Sequence, residues 1–121
     1  MKRTLQGLSS LLVLLFIVGS VSFAQDARTA ITNAYNAAQE KATAGSYEEA
    51  IKEFEDVYED AEEAGLADIQ ELVVGQLPRI YSAKASEAYK VFQANQSLET
   101  IDAAIEAFQD AQNAATEYGE Y

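Results

Sequence analysis

The 121-residue chain contains no cysteine and no histidine, and its charged side chains are 8 basic against 20 acidic. Each absence closes a class of function. Without cysteine there is no disulfide framework and no thiol nucleophile, and without histidine there is no Ser-His-Asp triad. A zinc site of the usual kind has no ligands to use. A net charge of −12 with no dense basic run argues against nucleic acid and against anionic membrane faces as partners. Proline is also scarce: there is one, Pro78.

What is present begins with a secretion signal. Lys2 and Arg3 precede the apolar run Leu11–Val18, Gly19 and Ser20 loosen its end, and Ser22-Phe23-Ala24 offers small residues where a signal peptidase reads. Cleavage after Ala24 is the expectation. A retained anchor is the alternative, but the apolar stretch 8–24 is short for a bilayer and is interrupted by serines and a glycine. After cleavage the net charge moves from −12 to −14, because two cations leave and no acid does. Residues 25–121 then form one small domain, exported to a periplasmic or extracellular location and stabilised by packing alone or by a partner.

That domain is rich in Ala, Glu and Gln, and Val73-Val74 is its one pair of adjacent aliphatic β-branched residues. The fold class is therefore all-α. Helical spacing predicts four helices. The first spans about 27–44, with a thin stripe of Ala27, Ala30, Ile31, Ala34, Ala37 and Ala38. Gly45 ends it in an αL role, and Ser46 with Glu49 reads as a capping box for the second helix. The second carries Tyr47, Ala50, Ile51, Phe54, Val57, Tyr58 and Ala61, and Gly65 closes it. The third keeps one apolar phase from Ile69 to Phe92 across Pro78. Either it is one long helix kinked there, or Gly75 ends a short helix and Pro78 opens a new one. The fourth starts near Ser97, with Leu98, Ile101, Ala104, Ile105, Phe108, Ala111 and Ala115 as its buried stripe, and ends at Gly119. Disorder is expected only near Gln25 and over the tail 117–121.

An internal repeat organises these helices. Laid over one another at an offset of 54, residues 31–65 and 85–119 agree at ten positions, among them Tyr35/Tyr89, Gln39/Gln93, Ala50/Ala104, Ile51/Ile105 and Phe54/Phe108. Two helix-turn-helix units result, with 66–84 as an extension of the second unit's first helix.

The stretch Gly45-Ser46-Tyr47-Glu48-Glu49-Ala50-Ile51-Lys52-Glu53-Phe54-Glu55-Asp56-Val57 resembles the tetratricopeptide repeat (TPR), whose turn reads G-x-Y and whose second helix continues x-x-A-[IL]-x-x-[FY]-x-x-A. Ala38 fits the small position of the first helix, while Lys41 stands where an aromatic is usual. The second unit keeps Ala104, Ile105, Phe108 and Ala111, but has Glu99 and Ile101 in the turn and Phe92 at the small position. The resemblance implies a right-handed α-α stack whose concave face binds a peptide or protein segment, without a cofactor. By that resemblance the candidate binding residues are Tyr35, Asn36 and Gln39, then Tyr89, Lys90 and Gln93. Each set places an aromatic and polar groups on one helical face. The other reading is that both tyrosines pack between helices.

Nine acids between Glu48 and Glu63 face a single Lys52, which reads as a solvated face of an exported protein. No calcium loop or phosphate-cradling glycine motif is present, and no metal site is expected. No constellation of nucleophile, base and oxyanion donors can be assembled, so the chain is read as a non-enzymatic scaffold. Two alternatives accompany that reading. One is a self-assembling envelope subunit that dimerises through the apolar third helix. The other is the front part of a longer repeat protein.

Overall fold

The computed structural model describes residues 25–119; the expected signal segment 1–24 lies outside them, as do Glu120 and Tyr121. Among the described residues there are four helices and no strand. They are α1 (25–43), α2 (Tyr47–Glu63), α3 (Ala67–Ala94) and α4 (Leu98–Tyr118). The all-α repeat architecture and the long third helix follow the sequence reading.

The first two turns are built on glycine. Gly45 and Gly65 take φ of +85° and +72°, a region that costs glycine little. At each turn the amide after the glycine donates five residues back, Ser46 to Lys41 O at 2.9 Å and Leu66 to Ala61 O at 2.8 Å. The glycine amide itself donates three residues back. These paired bonds satisfy the last carbonyls of α1 and α2. The expected capping box at Ser46 does not form. Its side chain makes no cap bond, its backbone lies at φ −84° and ψ 66° rather than extended, and its N–H goes to Lys41 O while the Glu49 carboxylate pairs with Lys41. A capping box forms at α4: Thr100 N donates to Ser97 Oγ, and Ser97 N to Thr100 Oγ1, both at 3.1 Å.

α3 runs unbroken through Gly75 and Pro78. Pro78 lacks the N–H that would bond the turn before it. The helix persists because Ile69, Val73, Leu77 and Ile80 hold one buried face on both sides of the proline. That face closes on α1 and α2. Ile31 and Ala38 from α1, Ala50, Ile51, Phe54, Val57 and Ala61 from α2, and those four α3 residues form one core cluster. Phe54, Leu77, Val57 and Val73 are its largest fully buried side chains, each contributing about 1.5–3 kcal/mol. On α1, Ala30, Ala34 and Ala37 are exposed, so the stripe is narrower than predicted.

The C-terminal half of α3 pairs with α4 along a different seam. Ala85 on α3 and Ala104, Ala107 and Ala114 on α4 are buried. This corrects the predicted α4 stripe. Leu98, Ile105 and Phe108 are 83%, 50% and 50% exposed. Alanines let α4 lie close on α3, and the bulkier residues rotate away from that contact. The expectation of disorder near Gln25 and over 117–121 is corrected where the structure describes those residues, Glu120 and Tyr121 lying outside them. Residue 25 is helical, and α4 continues to Tyr118, whose ring meets Tyr58 at 6.3 Å.

Candidate functional site

The two predicted residue sets meet different fates. Tyr35 is half-buried and presents its ring edge to Phe54, centroids 5.2 Å apart at 73°. Its hydroxyl accepts a bond from Gln39 Nε2 at 3.4 Å. Tyr35 is therefore a packing residue with a polar tip. Gln39 lines a groove of about 280 Å³ between α1 and α3, together with Thr43, Gln76 and Arg79. Asn36 stands in solvent. In the second set Tyr89 is 46% exposed, with Lys90 and Gln93 exposed beside it. The Tyr89 ring lies 6.3 Å from Phe92 and 6.5 Å from Phe108, at 70° to the latter. Among the described residues no hydrogen bond or ring contact joins the two sets.

The offset of 54 survives as geometry. Tyr35 meets Phe54 edge to face, and Tyr89 meets Phe108 in the same way. Ala50 and Ala104 are both buried. The copies differ in what lies over them. Ile51 and Phe54 are 7% and 0% exposed, whereas Ile105 and Phe108 are each 50% exposed. In the first copy the stripe Ile69, Val73, Leu77 and Ile80 covers these positions. Among the described residues no helix does so in the second. Tyr89, Leu98, Ile105 and Phe108 thus leave roughly 400–500 Å² of apolar side chain open, given about 150–250 Å² for a large side chain. An apolar area of roughly that size is as large as the largest patch on an ordinary monomer.

Helical spacing placed Phe108 and Ile105 on the buried stripe of α4, and their matched partners Phe54 and Ile51 are indeed inside. The signal available was α4 itself. It carries two apolar faces, one of alanines and one of Leu98, Ile105 and Phe108, and a single packed neighbour needs only one.

The second concavity is acidic. A cleft of about 620 Å³ between α2, α3 and α4 is lined by Glu55, Glu59, Glu62 and Glu117, with Tyr58 and Tyr118. At its α3 side the Tyr81 hydroxyl donates to Glu55 Oε1 at 3.1 Å. Burial, and then the Glu55 carboxylate, pushes the Tyr81 phenol above its ordinary range. Burial and then Glu117 push Tyr118 up as well. Both phenols therefore stay protonated donors at neutral pH. Among the described residues no group of three acidic side chains converges to hold a metal ion.

The rest of the acidic face is partly tied to its neighbours. Lys41 bridges Glu49 and Glu53, the latter at 3.4 Å, and Lys84 meets Glu48 at 3.4 Å. Arg28 grips Asp68 at 2.9 and 3.3 Å. Hydrogen bonds from Lys41 and Arg28 hold the Glu49 and Asp68 carboxyls below their usual range. The bland solvated reading of this face is thus incomplete, since several of its carboxylates fasten α2 to α1 and α3.

No protein-family model matches the chain, and neither the curated proteins nor the solved structures hold a match to it. No helix among the described residues is long and apolar enough to cross a membrane.

Proposed function

We propose that the chain is an exported, non-enzymatic interaction module of TPR-like repeats, which binds a protein segment on the surface its second hairpin leaves uncovered. One observation carries this reading. Two matched helix pairs carry the same Tyr, Ala-Ile and Phe positions, yet Ile105 and Phe108 are half exposed where Ile51 and Phe54 are buried. Tyr89, with Lys90 and Gln93 beside it, supplies an aromatic contact and a polar rim. Tyr35 acts as a wall of the first hairpin, Gln39 lines the groove between α1 and α3, and Asn36 stands in solvent. Export rests on the charge, apolar run and small residues of the first 24 positions.

The test is a photo-crosslinking amino acid at Ile105 or Gln93, introduced in the full chain and activated in growing cells. Discrete heavier adducts from these positions, and none from exposed Asn36, support the module. Equal labelling at all three, or none, removes it. Assembly through α3 has less support than it had from sequence. Ile69, Val73, Leu77 and Ile80 are covered within the chain, leaving Leu72 as the exposed residue of that apolar run.

A further inference from the structure

We infer that the open end of the second hairpin receives an amphipathic helix of a partner protein, one with an aliphatic stripe at the spacing of Ile69, Val73, Leu77 and Ile80 and a cation following it. This inference rests on the interaction-module reading and names the partner's chemistry. The chain itself shows what covers such a surface. Tyr35, Ala50, Ile51 and Phe54 are closed over by α3 through its Ile69, Val73, Leu77 and Ile80. Tyr89, Ala104, Ile105 and Phe108 repeat the receiving residues at the constant offset, with the same edge-to-face ring pair.

Charge specifies the rest. In the covered copy the overlying helix sends Lys84, four residues beyond Ile80, to Glu48 at 3.4 Å. The matched position in the open copy is Asp102, which is exposed. α4 carries Glu99, Asp102, Glu106, Asp110 and Glu117 and no lysine or arginine at all. A second copy of this chain would bring an equally acidic α4 against it, and like charges facing one another oppose that pairing. A helix with basic residues flanking its stripe meets both the apolar and the charged half of the surface.

The chain supplies its own probe. A synthetic peptide of residues 67–86, with Gly75→Ala and Pro78→Ala to hold it helical in isolation, is titrated into the chain purified after expression of its full sequence. Binding is read by calorimetry. Saturable one-to-one binding is the expected result, weakened by roughly tenfold or more by Phe108→Asp in the chain and likewise by Leu77→Asp in the peptide. Leu98→Asp is the safeguard: Leu98 is 83% exposed, so its replacement leaves the fold intact while placing a charge at the edge of the site. A peptide with Lys84→Glu binds more weakly, and Asp102→Lys in the chain restores it.

Binding that ignores Phe108→Asp and Leu98→Asp overturns the proposal, as does no binding at millimolar peptide. So does a doubling of the chain's own mass that Leu98→Asp abolishes, since the occupant is then a second copy. Retention of residues 1–24 with crosslinks from Ile105 into them overturns it too. If crosslinked partners appear at Ile105 in cells while the peptide fails, the module stands and only the partner's chemistry falls.

Discussion

Phe54 and Phe108 form an internal control, because each follows an Ala-Ile pair at the same spacing and each meets a tyrosine edge. The perturbation is truncation of each to alanine. Phe54 is fully buried between α1, α2 and α3, so its removal opens a cavity that three helices cannot close together; the cost is about 3–5 kcal/mol. Phe108 is 50% exposed and lies on a face that no third helix among the described residues confines. Its loss removes roughly half the transfer free energy and leaves no enclosed void, so about 1 kcal/mol is expected. A domain of this size has about 5–14 kcal/mol of stability, so the first change is severe and the second mild. Urea unfolding followed by far-UV circular dichroism suits a chain that has no tryptophan. With a slope of about 1 kcal/mol per M, the midpoint falls by about 3 M or more for Phe54→Ala and by about 1 M for Phe108→Ala. Equal shifts, or a larger one at Phe108, would refute the claim that α3 closes one hairpin and leaves the other open.

Three further outcomes follow from the same structure. Gly75 lies exposed in mid-helix with open space around the position of an added Cβ, so Gly75→Ala raises stability by roughly 0.5–1 kcal/mol in the same urea assay. The Tyr81 phenol titrates above its ordinary value of 10.0, so its contribution is complete below that pH and is lost as pH climbs; Tyr81→Phe costs about 1 kcal/mol at neutral pH and flattens the alkaline fall, measured as urea midpoints across the alkaline range. Glu49 and Asp68 have lowered carboxyl pKa values, so the ion pairs support the fold above the usual carboxylate range and stop doing so as pH drops through it; Lys41→Met together with Arg28→Met reduces that acid sensitivity in thermal melts.

Much of the fold is written locally. Gly45 and Gly65 mark turns because an αL residue is needed where a helix must reverse, and both take positive φ. The α2 stripe is legible because α2 is wedged between two helices, so every apolar residue on its face finds a neighbour. The single phase from Ile69 to Ile80 outweighs Pro78 for the same reason. α4 is less legible: its spacing admits two apolar faces, and which one is buried depends on how many helices surround it. Ser46 shows the limit for local motifs. A capping box needs an extended Ser46 and a free Glu49, but the Ser46 backbone lies at φ −84° and ψ 66° and the Glu49 carboxylate pairs with Lys41. Of the candidate site, Tyr89, Lys90 and Gln93 lie on the exposed second hairpin as the repeat suggests. Tyr35 is absorbed into packing because α3 folds over its unit, a tertiary event that the spacing on α1 does not report.

The stack itself is tested most directly by NMR on the labelled chain with a soluble paramagnetic relaxation agent. Ring-to-ring Overhauser contacts should appear for both Tyr35–Phe54 and Tyr89–Phe108, with the agent quenching Phe108 and Ile105 resonances and sparing Phe54 and Ile51. Equal protection of both copies, or the absence of the Tyr89–Phe108 contact, would contradict a repeated hairpin closed at one end and open at the other.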